Sequence, residues 1–394
     1  MSRNAQTTDR GESVELVTTL RDDDKIRKFW IACGPSRDAD PDFIRHIVET
    51  RPTAQQLNLL VLRAGDEPKA LLVGRRERMR AEVKVGYFRI AMPELRTLVI
   101  SHGGWLGELD EARAILFVDA LRRLLASGEV DAVLLHFPEF ASPLARQALA
   151  RPAFACRDHL LVRETHRTID LPADGASFLR SLSSNERSQQ RKRARKLAED
   201  LIDVCIESFR APEDVARLMA YAEKVAEKSY QRGIGVGFAV NDDVRSRLEF
   251  FARARWLRGF ILFLNNNPCA FWIGSLSNGV FTGDYLAFDP AFGQYAPGMY
   301  MILEVIEKLA GDGATPARQI DLGVGDAVYK DRLSNRAVDE AQIFIFAPNL
   351  RGLGANLLRS SLGRINRMLK YLSRNSRLLA KAKRGWRRRH GAGK

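Results

Sequence analysis

The sequence predicts a mixed α/β protein with two successive domains, each built around a mostly antiparallel sheet. Apolar runs joined by short turns such as GDEP and NNNP are typical of antiparallel strands. Segments with apolar residues at every third or fourth position predict amphipathic helices between those strands. The chain has 394 residues, enough for two domains of ordinary size, and both halves show the same order of elements.

The first half consists of a polar terminal segment and a run of strands and helices. Residues 1–13 lack apolar periodicity, so we expect them to be disordered. The first domain covers residues 14–170, and its clearest element is an amphipathic helix over 110–130. The predicted elements, in chain order, are strand 14–20, helices 22–34 and 41–50, two strands within 58–76, strands 84–92 and 95–101, helix 110–130, strand 131–140, helix 142–150 and strand 159–171.

The second half repeats this order over residues 171–348. Asn241 or Asp242 is a favourable N-cap for one helix, and Pro297 suits the first position of another. Since the halves share their order but little identity, we infer a duplication at the level of the fold. The predicted elements are helix 184–200, strand 201–209, helices 212–230 and 241–256, three strands within 257–289, helix 297–313, strand 317–326, helix 327–333 and strand 339–348.

The excess positive charge is concentrated at the C-terminus. Of the 62 Lys and Arg residues, 14 lie within 350–394, which contains no Asp or Glu, and the others balance the 48 acidic residues. Residues 349–394 therefore form a basic tail with an amphipathic helical pattern, which favours an anionic membrane surface. A helix packed on the body, a partner helix or a disordered nucleic-acid arm fits the same pattern. The apolar stripe consists of Leu358, Leu362, Ile365, Leu369 and Leu372.

The spacing of cysteine and histidine argues against a metal site. The four cysteines form no CxxC pair, and the six histidines are scattered, so we expect no metal. No apolar run is long enough for a transmembrane helix, and the N-terminus lacks the pattern of a secretory signal. These features favour a cytoplasmic protein with free thiols.

The first candidate site is the segment 289–309, in which a loop containing glycine and proline precedes an apolar helix. Such a loop leaves backbone N–H groups at the positive end of the helix dipole, which suits a phosphate or pyrophosphate. Gly298 permits close approach of a ligand to the backbone. An ordinary turn with proline at the first helical position fits the same residues.

The second candidate site is the segment DLGVGDAVYKDRL at 321–333, where a strand ends in two glycines and a helical turn follows. Glycines beside a strand end allow a ligand to lie against the backbone. Tyr329 could protonate a leaving thiolate, and Lys330 could bind an anion. A solvated strand-to-helix turn is the alternative interpretation.

Two further groups of residues suggest chemistry. Arg187, Arg191 and Arg195 form one stripe of a helix, which is either solvated or placed against a phosphate. Asp284 and Tyr285 lie on a predicted central strand. Because a buried carboxylate is costly unless it is paired, Asp284 is a candidate base.

Taken together, these segments resemble the acetyltransferase-like domain of the GNAT superfamily that occurs in cellulose-biosynthesis proteins of the CelD type. The resemblance extends from about Thr168 to Pro348 and rests on the arginine helix 184–200, the strand ending YLAFDP, the loop QYAPG and the segment IDLGVGDAVYKDRL. The N-terminal half fits a degenerate copy, as in the Fem peptidyltransferases. The resemblance implies tandem GNAT-like acyltransferase domains with splayed sheets, followed by the basic helical tail.

The resemblance also implies a thioester donor, usually an acyl-CoA such as acetyl-CoA, with its pyrophosphate on the loop before the helix. The GNAT pattern Arg/Gln-x-x-Gly-x-Gly/Ala begins here with Gln294, but Pro297 and Met299 stand where small residues are expected. This departure leaves room for acyl carrier protein or aminoacyl-tRNA as the donor. The implied donor-binding residues are Gln294, Tyr295, Pro297, Gly298 and Met299.

The mechanism implied is direct transfer of the acyl group to an amine or hydroxyl. Backbone N–H groups of residues 287–289 would polarise the thioester carbonyl. Asp284 would take the proton of the acceptor, and Tyr329 would protonate the departing thiolate. The expected substrate-binding residues are Arg187, Arg191, Tyr230, Tyr285, Asp321, Asp326 and Lys330.

Three functions fit these observations. The first is acylation of a saccharide or another cell-envelope precursor by a cytoplasmic enzyme held at the inner membrane face by its tail. The second is a Fem-type aminoacyltransferase that uses charged tRNA, although the sequence shows no long helical-hairpin insertion of the kind that binds tRNA. The third is a non-catalytic scaffold of a polysaccharide-synthesis assembly. We expect no DNA partner.

Overall fold

The computed structural model of the protein describes most of the chain. The described residues are 11–20, 25–80, 82–85, 88–172, 177–200, 203–229, 232, 237–313, 315–325 and 327–375.

Both strands and helices occur throughout the described chain. The strands are β1 (Glu12–Val17), β2 (Ala54–Ala64), β3 (Glu67–Met79), β4 (Glu82–Val85), β5 (Phe88–Ala91), β6 (Leu95–Gly107), β7 (Ala132–Leu135), β8 (Val162–Asp170), β9 (Val204–Phe209), β10 (Leu257–Leu264), β11 (Asn267–Ser277), β12 (Val280–Phe288), β13 (Gln319–Val324) and β14 (Arg336–Phe346). The helices are α1 (Lys25–Ala32), α2 (Pro41–Thr50), α3 (Glu111–Ala126), α4 (Pro143–Ala150), α5 (Ser177–Ser181), α6 (Ser184–Asp200), α7 (Val215–Ala226), α8 (Asp242–Arg253), α9 (Pro297–Ala310), α10 (Val328–Leu333) and α11 (Leu350–Asn375).

The chain divides into two compact units. Unit 1 contains Met1–Arg163 and Ala341–Lys394, and unit 2 contains Glu164–Glu340. Both combine helices with a mostly antiparallel sheet, which confirms the predicted α/β class. The predicted disorder of residues 1–13 does not hold for Glu12 and Ser13, which pair with β2 in the first strand.

The two units have the same strand topology. Unit 1 has the strand order β1-β2-β3-β6-β7-β14, and unit 2 has the order β9-β10-β11-β12-β13-β8. In each, four antiparallel strands are followed by one parallel pair, β6 with β7 or β12 with β13, and then by an antiparallel sixth strand. This repeated order supports the duplication inferred from the sequence.

The sixth strands are exchanged between the two halves of the chain. β8 follows β7 in sequence but pairs with β13, and β14 follows β13 but pairs with β7. The units therefore differ from the predicted domains 14–170 and 171–348 in two segments. Residues 164–170 lie in unit 2, and residues from Ala341 onward lie in unit 1, because strand pairing overrides sequence order.

Local sequence explains where the helices begin. The Asn241 side chain accepts a hydrogen bond from the Val244 N–H at 2.9 Å, so the predicted N-cap of α8 is confirmed. Asp110 caps α3 in the same way at 2.8 Å. α9 begins at Pro297, as predicted, and buries an almost continuous apolar face in the core of unit 2.

The described part of the predicted basic tail forms α11, which packs on unit 1. The Arg359 guanidinium binds the fully buried carboxylate of Asp158 and donates to the Leu160 carbonyl at 3.0 Å. The Asn356 amide donates to the carbonyls of Ala155 and Arg157 at 2.8 and 2.7 Å. The predictions for the Leu372 side chain and for residues 376–394 concern parts of the tail outside those that the structure describes.

Two further expectations bear on the chain as a whole. All four cysteines are free thiols, as predicted. Among the helices that the structure describes, none has the length and apolar character needed to cross a membrane.

The buried ion pair between Arg359 of α11 and Asp158 leads to a prediction about stability. Arg359→Met leaves the Asp158 carboxylate buried without its cation, so we expect a loss of about 3 kcal/mol in the free energy of unfolding. Urea unfolding measures it, and Arg364→Met, at an exposed position of the same helix, serves as the control with a change below about 0.5 kcal/mol. Equal effects of the two substitutions would contradict this account of how α11 is held.

Candidate active site

The site begins where two parallel strands of unit 2 separate. β12 and β13 pair at three positions only, from Val280 with Gln319 to Thr282 with Asp321. β12 then continues to Phe288 along β11, while β13 ends at Val324. The edge of β12 that faced β13 therefore opens, and a ligand can approach its backbone.

A β-bulge lies at the point of separation. Tyr285 is opposite Ile273, and Gly283 is opposite Gly274, so Asp284 is the extra residue on β12. A bulge bends its strand and redirects the side chain at the bulge. Asp284 is half-buried at this bend, which keeps it a candidate for acid–base chemistry.

The loop after β12 is built around a buried aspartate. The Asp289 carboxylate accepts the N–H of Ala291 at 3.0 Å and binds the Lys228 ammonium at 2.9 Å. This contact begins a 3-10 turn over Pro290–Tyr295, and Ala296 then takes a left-handed conformation with a φ of 49°. These features place the start of α9 beside the end of β12.

The start of α9 carries no side-chain cap. Tyr300 is the first residue whose N–H bonds back along the helix, to the Ala296 carbonyl at 3.1 Å, so the N–H groups of Gly298 and Met299 precede the helical hydrogen bonds. A Cβ atom on Gly298 would lie 3.3 Å from the Phe288 ring, so glycine permits this close packing. The helix end is a favourable position for an anionic group.

A cavity of about 530 Å³ lies between the open edge of β12 and the start of α9. Its surface is predominantly apolar, and the two polar side chains in its wall carry hydroxyl groups. Such a lining suits the uncharged portion of a ligand better than a charged one. The lining residues are Ser229, Leu286, Ala287, Phe288, Pro290, Gly293, Ala296, Gly298, Met299, Ile302 and Tyr329.

Tyr329 and Lys330 lie on α10, after β13. Burial raises the pKa of Tyr329 above its ordinary value of 10, so its hydroxyl keeps its proton at neutral pH. Burial also lowers the pKa of Lys330, whose ammonium donates to the Val324 carbonyl at 2.8 Å. Tyr329 lines the cavity, whereas Lys330 stabilises the glycine-containing turn.

A buried histidine holds Asp321 in place. His166 Nε2 lies 2.6 Å from the Asp321 carboxylate, and His166 Nδ1 lies 2.9 Å from Glu340. Burial alone would lower the pKa of His166, but the hydrogen bonds to the two carboxylates outweigh it and raise the pKa to about 10. The imidazolium and the Gly323 N–H both bind the same oxygen of Asp321, so Asp321 is a structural residue of the turn.

The structure brings together some of the predicted site residues. Gly298, Met299 and Tyr329 line one cavity. The side chains of Gln294, Tyr295 and Pro297 do not line it. Tyr295 is buried, with the Lys196 ammonium 5.3 Å from its ring centroid.

Other predicted residues have different roles. The Tyr285 hydroxyl accepts a hydrogen bond from Arg247 on α8. The Arg187 guanidinium donates to the carbonyls of Arg180 and Leu182 at 2.6 and 2.7 Å, where it closes the turn before α6. The Arg187 guanidinium therefore already binds backbone carbonyls. Of the three arginines in the predicted stripe, Arg191 and Arg195 are exposed. Tyr230 and Asp326, which are also predicted to bind substrate, lie outside the described residues.

Several site residues were missed. Ser229 and Leu286 line the cavity, and His166 orients the turn that leads to Tyr329. For Phe288, a role of the backbone N–H was predicted from the sequence, but its place in the cavity wall was missed. Leu286 and Phe288 alternate along one strand, so the period of two could have indicated a shared face. Ser229 and His166 give no comparable signal, because they reach their partners through tertiary packing.

Comparison with known proteins agrees with this geometry. Residues 184–331 match the family model of the acetyltransferase (GNAT) domain. This part of the chain is therefore similar to an acetyltransferase domain of the GNAT type. The matched range includes the opening between β12 and β13, the cavity and the start of α9. No curated protein matches this chain by sequence.

Solved structures show a related fold over most of the chain. FemX is 10% identical, with 83% of this chain and 96% of FemX covered and a TM-score of 0.52. A tandem GNAT protein of the clavulanic acid biosynthesis pathway is 14% identical, with 86% and 99% covered and a TM-score of 0.48. L-PGS from Bacillus licheniformis is 12% identical, with 87% and 97% covered and a TM-score of 0.46. The part of this chain that matches FemX contains more residues than either unit, so the similarity in fold includes parts of both units.

The charge of His166 generates a prediction on pH. Its folded-state pKa of about 10 lies above the ordinary value of 6.5, so its stabilisation is complete below pH 6.5 and is lost as pH rises toward 10. We expect the difference in unfolding free energy between the native protein and His166→Gln to shrink over this range, by on the order of 3 to 5 kcal/mol.

Urea unfolding at several pH values measures this difference. Glu340→Gln provides a matched variant, since it leaves His166 with one carboxylate and should move the loss of stability to lower pH. A difference that stays constant between pH 6.5 and 10 would show that His166 is uncharged in the folded protein.

Proposed function

We propose that the protein transfers an acyl group from a thioester donor, acetyl-CoA or a longer acyl-CoA, to an amine or hydroxyl of a saccharide or another cell-envelope precursor. The observation that carries the proposal is the apolar cavity that joins the open edge of β12 to the uncapped start of α9. The acceptor class rests on the resemblance to CelD-type proteins. A cytoplasmic location stays a prediction, and membrane attachment is a separate proposal because it rests on α11.

The described residues fit a CoA thioester. The N–H groups of Gly298 and Met299 at the positive end of α9 suit the pyrophosphate. The apolar cavity suits the uncharged arm and the acyl group. Met299, which departs from the GNAT pattern, adds its side chain to this lining. The departure therefore places an apolar side chain in the wall of the cavity.

The backbone of β12 offers a donor for the thioester carbonyl. The Asp289 N–H donates to the Cys269 carbonyl at 2.8 Å, which removes Asp289 from the predicted group of carbonyl-polarising residues. Because N–H groups alternate in direction along a strand, the Phe288 N–H points away from β11, toward the open edge. We assign the polarisation of the carbonyl to Phe288.

Two side chains would move the protons. The donor supplies a carbonyl carbon bonded to sulfur; the new C–N or C–O bond forms there as the C–S bond breaks. Asp284, at the bulge, takes the proton lost by the acceptor, directly or through water. The Tyr329 hydroxyl gives its proton to the departing thiolate, and its raised pKa keeps that proton in place beforehand.

Blocking the start of α9 tests the donor site. Gly298→Trp places a large ring against Phe288 and the cavity, so we expect calorimetric binding of CoA and acetyl-CoA to weaken at least about a hundredfold. Gly313→Trp is the control because a side chain there meets nothing within 4 Å. Circular dichroism establishes that both variants are folded.

Native protein that binds neither CoA nor any acyl-CoA would overturn the donor assignment. A titration with charged tRNA, repeated at several salt concentrations, would then identify an aminoacyltransferase by its steep salt dependence. Absence of binding in that titration would leave the scaffold function.

The proton-transfer roles are tested by conservative substitutions. Tyr329→Phe and Asp284→Asn should each lower kcat by about a hundredfold or more, with donor affinity unchanged. The rate is followed as thiol release from acetyl-CoA with a panel of amino sugars as acceptors. Tyr371→Phe, at an exposed position of α11, serves as the control. Full activity of either site variant in the folded protein would remove the role assigned to that residue.

A further inference from the structure

We propose that α11 binds an anionic membrane surface through an apolar face that unit 1 leaves uncovered. This outer face is defined by Leu357, Leu358, Ile365, Met368 and Leu369. The inference does not depend on the acyl-transfer reaction, because it rests on the packing of α11 alone.

The orientation of α11 on unit 1 is set by small and polar residues. Asn356 and Arg359 make the hydrogen bonds to the chain between Ala155 and Leu160, and both are buried. Gly363 lies against Leu160, where a Cβ atom would come within 2.4 Å of a side-chain carbon. These contacts occupy one side of the helix and fix its rotation about its axis.

The outer face lies opposite these contacts. At about 100° per residue, Leu357 and Met368 lie roughly 160° to 180° around the helix from Arg359. Leu357 is 71% exposed and Met368 is 58% exposed. Among the described residues, half of the large hydrophobic side chains with high exposure belong to α11. Isolated exposed leucines are common, but such a concentration on one helix indicates a binding surface.

The charge around the outer face selects an anionic occupant. Arg351, Arg364 and Arg367 are exposed on α11, and residues 350–394 contain no acidic side chain. In a bilayer interface the apolar residues enter the acyl region while arginine side chains reach the lipid phosphates. A second copy of α11 would bring like charges together, so the charge pattern favours anionic lipid over self-association.

Vesicle sedimentation with the full-length protein tests the proposal. We expect binding to vesicles made of equal parts phosphatidylcholine and phosphatidylglycerol, and much weaker binding to phosphatidylcholine alone. The double variant Leu357→Gln/Met368→Gln should reduce the partition coefficient at least about tenfold, because both apolar contacts are lost. Arg364→Gln should reduce it by about fivefold on the anionic vesicles only.

A matched control separates the outer face from general surface hydrophobicity. Ile31→Gln/Val240→Gln changes two exposed apolar residues away from α11 and should leave vesicle binding unchanged. Native-like binding by Leu357→Gln/Met368→Gln would overturn the proposal, since binding would then rest on residues other than the outer face. Equal binding to neutral and anionic vesicles would overturn the charge selection. Absence of vesicle binding, together with a dimer in sedimentation velocity that this double variant abolishes, would assign the face to a second copy.

Discussion

The separation of β12 from β13 is the constraint on which the candidate site depends. Three paired positions hold the strands together, and the bulge at Asp284 then bends β12 along β11. Because the edge of β12 is left without its neighbour, backbone N–H groups and an apolar cavity become accessible beside α9. The buried triad of His166, Asp321 and Glu340 supports the other side of the opening, since it orients the turn from which Tyr329 reaches the cavity. The geometry of the candidate site therefore follows from a local break in sheet pairing.

The exchange of the sixth strands gives the duplicated fold its particular form. Each unit completes its sheet with a strand that follows the other unit's fifth strand in sequence. Neither half of the chain can form its full set of strand pairs alone, so a cut near residue 170 would remove a strand from a unit. The same exchange returns the chain to unit 1 before α11 begins, and it makes the C-terminal helix part of the N-terminal unit.

In helix α11, polar residues such as Asn356 and Arg359 are buried, whereas apolar residues such as Leu357 are exposed, which is the opposite of the usual arrangement. Its polar and small residues bind buried carbonyls and a buried carboxylate, while Leu357, Leu358 and Leu369 are exposed. A buried arginine is tolerable because Asp158 compensates its charge. The arrangement is consistent with a helix that has two partners, one of them unit 1.

The sequence by itself determined the α/β class, the order of nearly all elements, an N-cap at Asn241 or Asp242 and the start of α9 at Pro297. It also indicated Gly298, Met299 and Tyr329, which line the same cavity. These depend on periodicity, capping and loop chemistry, which are local properties. Only the tertiary structure decided which unit receives β8 and β14, that Arg187 is occupied by carbonyls, that His166 holds Asp321, and which side of α11 is buried. Each of these depends on partners distant in sequence. The physical reason is that strands pair, and buried polar groups find hydrogen-bond partners, only in the complete fold.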